Sequence, residues 1–252
     1  MLKALSARLF QGYRTNKFPA VPPNLPDRFR GRPVIPEEAA IDSSCCPSGA
    51  LQSDSIDLGK CIFCGNCTKC GVKFTGEYRL GAFSREALIV KRGEALPAVE
   101  ERPKSDIAKL CSKSLKIREV SAGGCSACEL DFNVLGTLAW DMGRLGLQIV
   151  ASPRHADCLL VTGPVSKNML TALKKTYDAM SEPRFVIANG ACAISGGLFG
   201  SSDEVCAPLD EIIPVDFYVP GCPPHPATLL EALQRFKGGK AGAISPLEED
   251  KQ

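Results

Sequence analysis

The chain has 252 residues, of which 44% are apolar, so it can bury a core in one large domain or two small ones. Its net charge of +2 gives no indication of nucleic-acid binding, and no apolar run approaches the roughly 18 residues that cross a bilayer. Its 13 cysteines, an odd number partly clustered as Cys-x-x-Cys, argue against a secreted disulfide framework and favour a reducing cytosol.

Residues 1–40 are predicted to form an amphipathic helix followed by an extended arm. Leu2, Leu5 and Leu9 recur at helical spacing, and we expect this stripe to pack on protein in preference to lipid. Residues 19–36 contain six prolines, which favour an extended linker. Residues 1–35 carry seven Lys or Arg against one Asp. Such a basic segment is typical of one that binds an acidic partner or a membrane surface, or of a solvated arm. The first ten residues have no continuous apolar core, so we expect no signal peptide.

Residues 41–92 are rich in cysteine and are predicted to form a small iron–sulfur domain. Cys61, Cys64 and Cys67 have the spacing that wraps three thiolates around one face of a 4Fe-4S cluster. In bacterial ferredoxins the fourth ligand is a distant cysteine followed by proline, and Cys46 precedes Pro47. We therefore predict a cluster on Cys46, Cys61, Cys64 and Cys67, with structural zinc as the alternative.

This domain is predicted to hold one cluster and not two. A two-cluster ferredoxin needs three more cysteines upstream, at positions that hold Pro36, Ala39 and Asp42. Cys45 and Cys70 are then left over, and the spacing does not exclude that either of them replaces a ligand.

Residues 115–237 are predicted to form an α/β domain, after a charged connector at 93–114 and before a loose tail at 238–252. Apolar runs predict strands near 116–120, 147–151, 158–163, 185–189 and 215–219, and helices at 128–143, 167–181 and 226–237. The alternation of strand and helix predicts a doubly wound parallel sheet.

Four cysteines of this domain lie in three loops, and each loop follows a predicted strand. Cys125 and Cys128 follow the first strand, Cys192 the fourth and Cys222 the fifth. The carboxyl ends of parallel strands share one edge of a sheet, so the four thiols are expected to converge there. Four thiolates at such an edge favour an iron–sulfur cluster, and the glycines of these loops allow backbone to approach a bulky group. Because the cysteine loops occupy this edge, flavin is not expected.

Other residues near these motifs have open roles. Glu129 is either a first-turn acid favoured by the helix dipole or a proton-relay carboxylate. His155 is expected to be partly buried and hydrogen bonded, and His225 to be an exposed loop or helix-cap residue. Cys158 is predicted to be a core thiol, and Cys111 and Cys206 to be structural.

Residues 117–235 resemble the small subunit of nickel–iron hydrogenases and its relative, the 20 kDa subunit of complex I. The resemblance implies a flavodoxin-like fold and a 4Fe-4S cluster on Cys125, Cys128, Cys192 and Cys222, close to a catalytic partner subunit. Complex I subunits have two adjacent cysteines in the first loop, whereas hydrogenase small subunits have Cys-x-x-Cys, as here. This favours the group 4 membrane-bound hydrogenases. The motifs that carry the resemblance are 124–129, 152–157, 190–192, 195–197 and 219–224.

The N-terminal part resembles the two-cluster ferredoxin subunits of formate hydrogenlyase and respiratory complex I. The matching stretches are 29–33, 46–51 and 61–65. In those subunits the N-terminal arm lies along partner subunits near the membrane arm.

The expectation is an electron-transfer subunit of a membrane-associated nickel–iron hydrogenase, with two 4Fe-4S clusters and no catalysis of its own. Its expected partners are a large subunit, related to the 49 kDa subunit of complex I, and further iron–sulfur and membrane subunits, with no nucleic acid. It is expected in the cytoplasm, peripheral on the inner face of the cytoplasmic membrane. The alternatives are a nickel-free, complex I-like quinone oxidoreductase subunit and a zinc-stapled interaction module.

Overall fold

The N-terminal part of the chain contains one exposed helix and two short antiparallel ribbons. The computed structural model describes residues 2–94, 111, 113–239 and 242–243. The helix is α1 (Leu2–Gln11), and the ribbons pair β1 (Pro33–Val34) with β3 (Lys73–Phe74) and β2 (Ser55–Asp57) with β4 (Ile89–Lys91). The ferredoxin-like character of residues 41–92 stays a prediction.

The apolar stripe of α1 faces outward. Leu5, Leu9 and Phe10 are 60%, 77% and 90% exposed, so the stripe is not covered by the part of this chain that the structure describes. The segment that follows contains turns, with Ala20 N donating to Lys17 O and Phe29 N to Pro26 O, and it is anchored to the sheet-bearing part: Asn16 N donates to Ala139 O at 2.9 Å, and Phe18 is buried.

The second part of the chain is built on a five-stranded parallel sheet. Its strands are β5 (Leu115–Ser121), β6 (Leu147–Ile149), β7 (Cys158–Thr162), β8 (Phe185–Asn189) and β9 (Phe217–Val219), in the order β6-β5-β7-β8-β9. All neighbouring pairs are parallel, and this order is that of flavodoxin-like folds. The central strands β7 and β8 are buried along their whole length, which explains their continuous apolar runs. The predicted fold class is confirmed.

The flanking helices are α2 (Ala127–Val134), α3 (Lys167–Asp178), α4 (Ala191–Ser195) and α5 (Pro226–Phe236). The prediction of one helix over 128–143 was wrong, because α2 ends at Val134. Beyond it, Leu135 and Met142 are both buried, and Met142 N donates to Leu135 O at 3.0 Å. The chain must turn back to bury both side chains, and a continuous helix cannot do this.

The N-terminal ribbons pack directly on the parallel sheet. Ala82 and Tyr218 exchange two backbone hydrogen bonds of 2.8 and 2.9 Å, which add an antiparallel bridge to the free edge of β9. Leu58 and Leu88 belong to the same hydrophobic cluster as Ile194. The two predicted domains therefore share a core. The predicted connector at 93–114 and tail at 238–252 lie largely outside the described residues.

Among the helices of residues 2–94, 111, 113–239 and 242–243, none combines the length and the apolar character that crossing a bilayer requires.

We predict that Gly163→Ala will destabilise the chain by about 3 kcal/mol, since backbone strain and a core clash add together. Gly163 has φ +73°, and a Cβ there would lie 2.4 Å from Gly124 N. The urea midpoint of the purified chain measures this effect.

Gly49→Ala is the matched control for this substitution. Gly49 has φ +63°, and no atom lies within 4 Å of the place that an alanine methyl would take. Only the left-handed backbone should therefore cost stability, about 1 kcal/mol. Equal losses for the two variants would contradict the importance of the close approach between the loops after β5 and β7.

Candidate metal centres

The strands β5, β7, β8 and β9 end at the same level of the sheet, at its carboxyl edge. Ser121 pairs with Thr162, Thr162 with Asn189, and Asn189 with Val219, and these are the last residues of β5, β7, β8 and β9. The loops that follow therefore start side by side. Cys125 and Cys222 lie in the loops after β5 and β9, whereas Cys128 and Cys192 are the second residues of the helices α2 and α4 that follow β5 and β8.

Glycines bring these loops into close contact. A Cβ on Gly190 would lie 2.8 Å from Cys128 Sγ, and a Cβ on Gly197 would lie 2.9 Å from Cys192 Sγ. Ala191 N donates to Gly221 O at 2.8 Å, which ties the loop after β8 to the loop after β9. The space beside these two thiols exists because side chains are absent there.

The four thiols are near enough to influence one another's charge. Burial raises the pKa of Cys128, and the negative charges of Glu129 and of the other three thiolates raise it further. Burial, followed by the charges of Cys222 and Cys125, raises the pKa of Cys192 to about 11. Cysteines bind metals as thiolates, and thiolates in such a place need a cationic centre to offset burial and mutual repulsion. This donor set fits an iron–sulfur cluster.

Within the described residues, no group of three or more His, Cys, Asp or Glu side chains is arranged to hold a single metal ion. A cube of four irons and four sulfides is larger than one ion and holds its thiolates farther apart than a single-ion site does.

Glu129 is fixed at the ends of two strands. Thr162 Oγ1 donates to Glu129 Oε1 at 2.7 Å. Burial raises the pKa of Glu129, but hydrogen bonds from Ser121 and Thr162 outweigh it and leave the pKa below its ordinary value. The carboxylate is thus held ionised beside Cys128.

Glu119 is a titratable residue near this site that the sequence motifs do not include. Its Oε1 is buried and has no hydrogen-bond partner among the described residues. Burial, and to a lesser extent the charge of Glu129, raise the pKa of Glu119 to about 7. The only signal for it in the sequence is the polar pair Arg118-Glu119 between the buried apolar residues Ile117 and Val120 of β5.

The cysteines of the first predicted centre line a single cavity. Its walls include Ile56 and Phe74, and the enclosed space is about 20 Å³. Cys45 and Cys70 are not among the described residues that line it. The four lining thiols are those of Cys46, Cys61, Cys64 and Cys67.

Backbone N–H groups point at two of these sulfurs. Burial raises the pKa of Cys46, but the Ser48 hydroxyl and the N–H groups of Leu51, Ser48 and Ala50 reverse this and leave the pKa lowered. Burial raises the pKa of Cys61 to about 12, while Phe63 N donates to its Sγ at 3.4 Å. Hydrogen bonds to cysteine sulfur are one of the means by which proteins tune cluster potentials.

A cavity of about 240 Å³ lies between the two candidate centres. Cys222 and His225 line it from the sheet, and Phe29, Ile62 and Phe63 line it from the N-terminal part. His225 caps α5, because its Nδ1 accepts from Ala227 N at 3.1 Å, and it is half-buried.

The remaining predicted residues have simpler surroundings. His155 is exposed, so the expectation of a partly buried histidine was wrong; it ends a short turn that precedes β7. Cys158 is a core thiol as predicted, Cys111 is buried and Cys206 is exposed. Cys45 and Cys70 contact each other, with their sulfur atoms 3.3 Å apart.

Comparison with known proteins relates the sheet-bearing part to respiratory and hydrogenase complexes. Residues 125–236 match the family described as NADH ubiquinone oxidoreductase, 20 Kd subunit. A probable membrane-bound hydrogenase subunit mbhJ of Pyrococcus furiosus is 41% identical over 155 residues, which cover 59% of this chain and 93% of that protein.

A subunit of the NADH-quinone oxidoreductase of Desulfovibrio desulfuricans is 45% identical over 114 residues, which cover 45% of this chain and 62% of that protein. The match therefore spans about three fifths of that protein's length. Among solved structures, a chain of the membrane-bound sulfane sulfur reductase, an archaeal respiratory membrane complex, is 32% identical with a TM-score of 0.44. The match covers 52% of this chain and 75% of that chain.

We predict that the Glu119→Gln variant will become more stable than the wild type as the pH rises from about 4.5 to about 7. The folded chain holds the Glu119 proton more tightly than the unfolded chain, whose pKa is near 4.5, so ionisation in this window costs stability. The gain of the variant over the wild type should reach about 1 kcal/mol at pH 7.5, after allowance for solvent screening of a half-buried group. Urea unfolding at several pH values measures it.

Glu211→Gln removes an exposed acid from the same part of the chain and serves as the control. A Glu119→Gln variant whose stability followed the wild-type pH curve would refute the raised pKa.

Proposed function

The chain belongs to the family of the 20 Kd subunit of NADH ubiquinone oxidoreductase, and from this membership we propose that it transfers electrons within a membrane-associated nickel–iron hydrogenase complex. The family places it in an oxidoreductase complex as a subunit that binds an iron–sulfur cluster. The number of clusters, the partner and the chemistry of that partner belong to the proposal.

The observation that carries the proposal is the common level of the strand ends. It gathers Cys125, Cys128, Cys192 and Cys222 at one sheet edge, and we assign a 4Fe-4S cluster to them. We assign a second to Cys46, Cys61, Cys64 and Cys67, which share a cavity. When bound, such a cluster supplies reversible one-electron transfer.

Two features of the chain make these cysteines suitable as cluster ligands. Gly190 and Gly197 keep side chains away from Cys128 and Cys192. Hydrogen bonds from backbone N–H groups and the Ser48 hydroxyl lower the pKa of Cys46, which favours the thiolate form that binds iron, and Phe63 N donates to Cys61 Sγ and partly offsets the effect of burial there. Electrons would cross the region of Phe63 and Cys222, which line one cavity between the centres.

The sheet edge also supports a docking place for a large partner subunit. Cys125 and Cys222 are exposed, and so are three large apolar side chains in the same or adjoining loops and helix. Such side chains at the rim of a site are typical of an interface. They are Leu130, Leu198 and Phe199, with exposures of 64%, 49% and 52%.

Glu129 fits the role of a proton-relay carboxylate toward that partner. Thr162 and Ser121 orient it, and its lowered pKa keeps it ionised, although it also makes the carboxylate a weaker proton acceptor than an ordinary glutamate. The same contacts also link β5 to β7, so we propose for Glu129 both a structural role and that of a proton relay.

The membrane association proposed here is peripheral and depends on partners. The exposed side chains of Leu5, Leu9 and Phe10 on α1, together with the basic N-terminal segment, suit contact with a subunit at the inner face of the cytoplasmic membrane.

The second candidate is a nickel-free, quinone-linked oxidoreductase subunit. Its support is the similarity to the matched subunit of NADH-quinone oxidoreductase. The Cys-x-x-Cys spacing of Cys125 and Cys128 favours the hydrogenase branch instead. A zinc-stapled module would contain zinc and no iron, so metal analysis of anaerobic protein separates it from both.

We predict that Cys192→Ser and Cys64→Ser will each remove about four irons per chain, from different clusters, because a 4Fe-4S centre needs its full set of thiolates. Iron analysis and low-temperature EPR of the anaerobic protein measure this. Cys206→Ser, at an exposed thiol outside both centres, is the control and should keep all iron. A Cys64→Ser chain with unchanged iron and EPR spectra would refute the assignment of a cluster to Cys46, Cys61, Cys64 and Cys67.

We predict that the native complex, captured anaerobically through this chain, will contain nickel and reduce a dye with hydrogen. This follows from the Cys-x-x-Cys spacing in the first loop and the similarity to a hydrogenase subunit. An intact iron–sulfur complex with neither nickel nor hydrogen uptake would favour the quinone-linked alternative.

A further inference from the structure

We propose that Cys45 and Cys70 form a reversible disulfide that joins two ligand-bearing segments of the first centre. Their sulfur atoms are 3.3 Å apart, whereas a disulfide bond is about 2.05 Å long, so a small rotation of the side chains brings them into bonding range. The proposal goes beyond the electron-transfer function and gives a role to the two cysteines left over by the cluster motif.

Two short helices hold the thiols against each other. Cys45 is the last residue of the 3-10 turn Ser43–Cys45, and Cys70 is the last residue of the 3-10 turn Asn66–Cys70. Asp42 supports both: its Oδ1 accepts from Ser44 N at 2.9 Å, and its carbonyl oxygen lies 3.8 Å from Cys70 Sγ. The pair is therefore placed by backbone elements and not by flexible loops.

The pair is accessible and separate from the thiols of the cavity. Cys45 and Cys70 are both partly exposed, so a small reagent can reach them. Among the described residues, the cavity is lined by the other cysteines of this region, and this pair is outside its lining.

A bond between them would bridge the segments that carry two proposed ligands. Cys45 precedes Cys46 directly, and Cys70 ends the turn that contains Cys67. The cross-link would close a loop of chain between positions 25 apart, which limits how far these segments can separate if iron is lost. The pair would thus preserve the site for reloading under oxidising conditions.

The reaction needs a low-molecular-weight disulfide as the oxidant. One thiol of the pair, as its thiolate, attacks a sulfur of that disulfide and forms a mixed disulfide, with release of one small thiol. The second thiol then attacks the mixed disulfide and releases the other small thiol. The pair loses two protons and two electrons in total, and the small disulfide gains them.

The test uses the complex captured anaerobically through the full chain and incubated with oxidised and reduced glutathione at several ratios. Remaining thiols are blocked with N-ethylmaleimide, and the digested protein is analysed by mass spectrometry. We expect a peptide pair cross-linked through Cys45 and Cys70, with an oxidised fraction that follows a single two-electron titration. The proposal would be overturned if both thiols carried N-ethylmaleimide, and no cross-link, at every ratio. It would also be overturned if glutathione stayed attached to only one of them.

Three variants sharpen the outcome. Cys45→Ser and Cys70→Ser should each abolish the cross-link, and the first also distinguishes Cys45 from the neighbouring Cys46. Cys206→Ser is the matched control and should leave the cross-link unchanged. Two thiols that resist labelling while iron is bound, and are labelled without cross-linking after iron is removed, would identify cluster ligands and overturn the proposal.

Iron content and EPR spectra of the same samples keep this test separate from that of the proposed function. A cross-link in protein without iron supports the thiol pair and contradicts the proposed electron transfer. Iron at both centres with no cross-link at any glutathione ratio contradicts the thiol pair alone.

Discussion

The parallel pairing of β5, β7, β8 and β9, with their last residues in one row, is the constraint on which the rest of the molecule depends. A shift of one residue moves a strand by about 3.3 Å and turns its side chains to the opposite face. Such a shift would separate the cysteine loops and break the hydrogen bond from Thr162 to Glu129. The register of the sheet thus decides whether four thiols meet.

Close backbone approach is the second requirement, and it follows from the first. Loops that start side by side must pack closely against one another to bring their thiols together. Gly163 contacts Gly124, and Gly190 contacts Cys128, at distances that exclude a Cβ. The loop between Cys125 and Cys128 adds a non-glycine residue with positive φ, Ser126 at 69°. Backbone strain of this kind persists only where the surrounding packing holds it.

The two candidate centres belong to one packed body and are not joined by a linker alone. The bridge between Ala82 and Tyr218 and the hydrogen bond from Ser195 Oγ to Gly59 O, at 2.9 Å, fasten the N-terminal part to the sheet. Residues of both parts also belong to one hydrophobic cluster. Electron transfer between two centres depends on a constant separation, and a common core provides it more firmly than a hinge.

The sequence by itself determined the five strands, the parallel character of their sheet and the cysteines of both motifs. Strand patterns, the alternation of strand and helix and ligand spacings can all be read from local stretches of sequence. It could not determine contacts between distant segments. The end of α2 at Val134, the raised pKa of Glu119 and the meeting of Cys45 with Cys70 all depend on which residues are brought together in space. Tertiary packing decided these, since burial and close contact are properties of the folded chain and not of any one segment.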